Sequence, residues 1–128
     1  MKRQHFLILP AALCALLQAP AGAGVPAAAD REIQYLLEFV ATSGCDFVRN
    51  GSSHDPVAAA DHLRLKYRRG SRYVNSAEQF IDRLASESSW TGRAYTATCD
   101  EQVIPTSVWL HQALDNYREG LKASPATQ

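Results

Sequence analysis

Apolar residues recur at helical spacing in four stretches of this chain. Ile33, Leu36, Leu37 and Val40 fall at i, i+3, i+4 and i+7, with Glu32, Gln34 and Glu38 on other faces; the pattern predicts an amphipathic helix from Arg31. Ser43-Gly44 follows, and a glycine there accepts the left-handed backbone that ends a helix and delivers the chain to Cys45. Asp55-Pro56 opens a second helix, Asp as cap and Pro in the first turn, with Val57, Ala60, Leu63 and Tyr67 inward and Gly70 as its terminator. Asn75-Ser76-Ala77-Glu78 reads as a capping box for a third helix carrying Ala77, Phe80, Ile81, Leu84 and Ala85. A fourth begins near Thr106 and aligns Leu110, Ala113, Leu114, Tyr117 and Leu121.

Period-two patterning is confined to short pieces. Phe47-Val48-Arg49 is extended before an Asn50-Gly51 turn, and Tyr95-Thr96-Ala97-Thr98-Cys99 alternates; the two are expected to pair as a ribbon. The fold predicted is mainly α, a small four-helix domain with a short extended segment.

The first thirty residues follow a different grammar. Lys2 and Arg3 precede an apolar stretch from Phe6 to Leu17 broken by Pro10, and small residues follow. This is a signal peptide, with small-x-small junctions at Ala21-Gly22-Ala23 and Ala27-Ala28-Ala29. Cleavage before Asp30 is expected, with cleavage after Ala23 as the alternative. About a dozen apolar residues fall short of a bilayer roughly 30 Å thick, so no transmembrane anchor remains after cleavage. The division is then 1–29 signal peptide, 30–122 one helical domain and 123–128 a flexible tail, the product being periplasmic or secreted.

Removing residues 1–29 takes Lys2 and Arg3 but no acid, leaving 11 basic against 13 acidic residues, a net charge of −2. Bulk charge therefore argues against a nucleic-acid partner. Cys14 leaves with the leader, and Cys45 and Cys99 remain for a compartment in which disulfides persist. Pairing them closes a long loop, worth about 4 kcal/mol in the chain-entropy model.

No phosphate-cradling glycine loop, His-Glu-x-x-His, Cys-x-x-Cys or Gly-x-Ser-x-Gly occurs, so no metal and no cofactor is implied. The remaining candidates are polar. His62 and Lys66 stand one turn apart on the second helix, where a neighbouring ammonium favours a neutral imidazole. Arg49, Asn50 and His54 lie on the approach to that helix. Ser88-Ser89-x-Thr91-Gly92-Arg93 offers hydroxyls and a cation to a phosphate, carboxylate or sugar, with Tyr95 just beyond.

Phe47-Val48-Arg49-Asn50-Gly51, His54, His62-Leu63-Arg64-Leu65-Lys66, Ala77-Glu78-Gln79-Phe80-Ile81-Asp82 and Ser86 with Ser88-Ser89-x-Thr91-Gly92-Arg93-x-Tyr95 together resemble the YfeK-like family of small exported bacterial proteins, a domain of unknown function. The resemblance implies export and a periplasmic home, and brings no activity. It singles out Arg49, Asn50, His54, His62, Lys66, Ser88, Ser89, Thr91 and Tyr95 as polar motif positions. The leading expectation is a non-enzymatic binding or interaction module for an anionic or sugar-like ligand or an envelope partner. An envelope hydrolase or transferase pairing His62 or His54 with Ser88 or Ser89 is the second, and a structural envelope protein the third.

Overall fold

The computed structural model describes residues 24–124. Residues 1–23, which hold the charged and apolar parts of the expected signal peptide, and residues 125–128 lie outside the described residues.

The first helix, α1 (Ala27–Thr42), begins ahead of its periodic stripe and buries Ala29, Ile33, Leu36, Leu37 and Val40. Gly44, at φ +68°, ends it as expected. The chain then enters β1 (Asp46–Arg49), turns at Asn50-Gly51 and returns as β2 (Ser52–His54). Both turn residues have positive φ, +49° and +79°, the requirement of the two-residue turn that matches strand twist. Asp55 accepts from the Ala58 amide at 2.9 Å and caps α2 (Pro56–Gly70).

Gly70 does not end α2 through a left-handed backbone, for its φ is −109°. A Cβ placed there would lie 2.9 Å from Leu84 Cδ2, so the glycine admits a neighbouring side chain. A 3₁₀ turn, Ser71–Tyr73, leads to α3 (Ala77–Phe80), which widens at once into a π-helical turn over Ile81–Ala85. Its cap is displaced one residue from the sequence reading. Ser76 Oγ accepts from the Gln79 amide, while Gln79 Oε1 accepts from the Asn75 amide.

The ribbon forms in the expected place: β3 (Thr96–Cys99) pairs antiparallel with β1, Phe47 opposite Ala97 and Asp46 opposite Thr98. Cys45 and Cys99 are joined, with Cα atoms 4.6 Å apart. The chain then turns through Asp100-Glu101 into β4 (Gln102–Pro105) before α4 (Thr106–Ala123). The result is a four-stranded antiparallel sheet in the order β2-β1-β3-β4.

The mainly α expectation is therefore corrected to α+β: four helices and a four-stranded sheet. The two unforeseen strands are edges, and Ser52, Ser53, Gln102 and Val103 are all exposed. A strand bare on both faces has no period-two signal. The β3–β4 turn has no glycine either; Asp100 and Glu101 take φ of +48° and +68° themselves.

The core joins the inner stripes of the helices to Phe47, Tyr95 and Ala97. Val57 and Leu121, expected inside, are exposed. Buried Thr106 donates its hydroxyl to the Ala85 carbonyl at 2.7 Å, and Arg118 pairs with both Glu32 and Glu78, tying α4 to α1 and α3.

Candidate functional site

On α2, Ala60, Leu63 and Tyr67 face the core, which rotates a second stripe, His62, Leu65, Lys66 and Arg69, onto a neighbouring face at i, i+3, i+4 and i+7. This stripe forms one wall of a cleft of about 500 Å³. Arg49 and Asn50 from the β1–β2 hairpin, Tyr95, and the Ser88-Ser89-Trp90 turn form the rest of its polar side. Gly70, Tyr73 and Leu84 complete it with apolar surface. The volume is that of a small-molecule site.

The Ser88 turn is held from both directions. Ser88 Oγ accepts from the Trp90 and Thr91 amides and from Asn50 Nδ2, the last at 3.2 Å. Thr91 Oγ1 donates to Asn50 Oδ1 at 2.7 Å and accepts from the Arg93 amide. Asn50 is thus both hairpin turn and clamp, its positive φ presenting the amide to the second loop.

At the base, Arg49 Nη1 lies 2.7 Å from Nδ1 and 2.9 Å from Nε2 of His62. A guanidinium only donates, and its charge at this distance disfavours a second cation on the ring. Burial, then the charges of Arg49 and Lys66, hold the His62 pKa down at about 4, leaving a neutral imidazole at neutral pH.

Lys66 Nζ donates to the Glu87 carbonyl at 3.0 Å and to Tyr95 Oη at 3.1 Å. Burial and then Arg49 lower its pKa to about 8, against a smaller opposing effect of Glu87. Burial, the largest influence, raises the Tyr95 phenol, keeping it neutral. Among the described residues, Arg49, Lys66 and Arg69 form no ion pair, and no carboxylate lines the cleft.

A family model described as a family of unknown function, DUF5329, matches residues 27–118. The chain belongs to this family. A curated relative, the uncharacterized protein YfeK of Salmonella typhimurium strain LT2, is 42% identical over 89 residues, which cover 69% of this chain and 74% of the relative. No solved structure matches.

In this DUF5329 chain the sequence candidates separate into two groups. Arg49, Asn50, His62, Lys66, Ser88, Ser89 and Tyr95 converge on the cleft. Thr91, Arg93 and His54 do not line it: Thr91 braces Asn50, Arg93 stands beside Gly51, and His54 ends β2. The serine–imidazole contact that a hydrolase would use is not formed, since His62 bonds Arg49 and no Ser–His hydrogen bond occurs among the described residues. No cluster of three metal-ligating side chains occurs among them either.

Arg69, Tyr73, Leu84 and Trp90 were not among the sequence candidates. The α2 stripe was available as a signal, because Leu65 fits no position on the core face yet shares a helical row with His62 and Arg69. Trp90 was available too, being a large aromatic amid Ser, Thr and Gly that joins no apolar stripe.

Proposed function

We propose that this protein is a binding module working outside the cytosol, and that its cleft takes an anionic ligand on Arg49, Lys66 and Arg69. One observation carries the reading: two half-buried cations, Arg49 and Lys66, stand together with only neutral partners, a ring nitrogen, a carbonyl and a phenol. Partial burial of like charges with no ion-paired carboxylate, Glu87 acting on Lys66 only from a distance, is costly, and an arriving anion relieves that cost. His62 positions the guanidinium from behind, and Tyr95 and the Glu87 carbonyl hold the ammonium.

Export is supported by the N-terminal sequence grammar and by the Cys45–Cys99 bridge, a bond that persists in oxidising compartments. Among the described residues no helix is long and apolar enough to cross a membrane. Of the two cleavage junctions, the helical packing favours Ala23-Gly24. Cutting before Asp30 would remove the first turn of α1, the buried Ala29 and the bond from the Asp30 amide to the Pro26 carbonyl.

Titration of the isotope-labelled protein with inorganic phosphate, followed by amide chemical shifts, tests the site. The expected result is saturable shifts concentrated at Arg49, Lys66 and Ser88–Trp90, abolished in Lys66→Met while the spectrum stays folded. Shifts scattered over the surface, or equal in the variant, would overturn it.

A further inference from the structure

The unpaired cations account for one end of the cleft and leave the other unexplained. Trp90 is 97% exposed although it lines a cavity, and Tyr73, also on the wall, is 55% exposed. An exposed indole on its own is ordinary. This one sits on a turn clamped by Ser88, Asn50 and Thr91, so its backbone is fixed while its side chain contacts almost nothing. An exposed indole on a braced turn beside half-buried cations is the arrangement of a recognition site with an apolar part and a charged part.

Hydroxyl chemistry occupies the space between. Ser89 lines the cleft without a hydrogen-bond partner among the described residues, and Ser88 Oγ, whose two lone pairs are shared among three N–H groups, donates its own proton to none of the described residues. An aliphatic ligand would leave these groups idle. A sugar ring satisfies both needs, presenting one apolar C–H face to an indole and hydroxyls to its flanks. Three cations in a cleft that no carboxylate lines suit a dianion better than a single carboxylate, which favours a phosphomonoester.

Resting on the anion-site reading above, we infer that the ligand is a soluble sugar phosphate, its phosphate on Arg49, Lys66 and Arg69 and its ring against Trp90, with Ser88 and Ser89 meeting the hydroxyls. The cavity of about 500 Å³ holds one or two such rings. Trp90 supplies affinity through contact, while Asn50 and Thr91 act on the ligand only through the turn they brace.

Calorimetric titration of the exported, disulfide-bonded protein with glucose 6-phosphate, inorganic phosphate and glucose tests this. Glucose 6-phosphate should bind at least tenfold more tightly than either of the others and should change the fluorescence of Trp90, since Trp109, only 8% exposed, lies in the core. Trp90→Ala should bring glucose 6-phosphate to the level of phosphate, a roughly tenfold loss typical of a truncated aromatic anchor, with phosphate binding unchanged. Lys66→Met should weaken both anions.

If wild type binds the two anions equally, or Trp90→Ala changes nothing, the sugar inference fails and the anion site survives. If wild type binds neither, both fail. Vesicles containing phosphatidylinositol 4-phosphate present a related phosphomonoester on a hydroxylated six-membered ring at a membrane; binding to them without binding to glucose 6-phosphate would overturn the soluble ligand.

Discussion

Asn50 shows how one residue can be read correctly from sequence for one of its roles and missed for another. Asn-Gly between two strands announces the turn, but the two side-chain bonds to Ser88 and Thr91 span 38 and 41 residues and leave no local trace. Asn50→Ala should therefore cost about 1–2 kcal/mol in denaturant unfolding, and should loosen the turn bearing Trp90. His62 has a pH signature with a definite sign. Its pKa is about 4 in the folded chain and 6.5 when unperturbed, so the unfolded state binds more protons between those values. Stability should be full above pH 6.5 and fall as the pH drops toward 4. His62→Gln, which keeps an acceptor for Arg49, should flatten that part of the stability profile. Most of the charged part of the site was legible as polar residues with no packing duty; the apolar half was not, because Leu84 reaches it through tertiary approach at Gly70 and Tyr73 through the 3₁₀ turn that follows α2.

At the scale of elements, helices were legible where one face is buried, since burial imposes the period. The β1–β3 pair was legible for the same reason, Phe47 and Ala97 both facing the core. The edge strands bury little, and the turn joining β3 to β4 sets Glu101 in a left-handed backbone that no sequence rule favours, so that end of the sheet carried no pattern to read. The π-helical turn after α3 was hidden as well, because its apolar residues keep a nearly α-helical spacing. Cys45–Cys99 ties the end of α1 to the end of β3, closing a sequence separation of 54 residues. Reduction, or the double change to serine, should cost about 4 kcal/mol, lowering the melting temperature by roughly 20 °C. An unchanged melting temperature would show that the sheet and core suffice without the bridge.

At the scale of the whole molecule, the proposed export fits the Cys45–Cys99 bridge that closes the fold beside the cleft-bearing hairpin. The fold places its unpaired cations at the meeting of α2, the β1–β2 hairpin and the Ser88 turn, the latter two braced by Asn50. Intact-mass analysis of the exported protein should give Gly24 as the first residue, because α1 needs Ala27–Ala29 for its first turn. A chain beginning at Asp30 would mean that α1 is shorter in the mature protein, and a version truncated there by design should be measurably less stable. The most direct test of the account is the titration of the Lys66 amine by NMR, with and without saturating inorganic phosphate. The account predicts a pKa of about 8 in the free protein that rises once the anion is bound. A Lys66 that titrates at the same pH in both would contradict it.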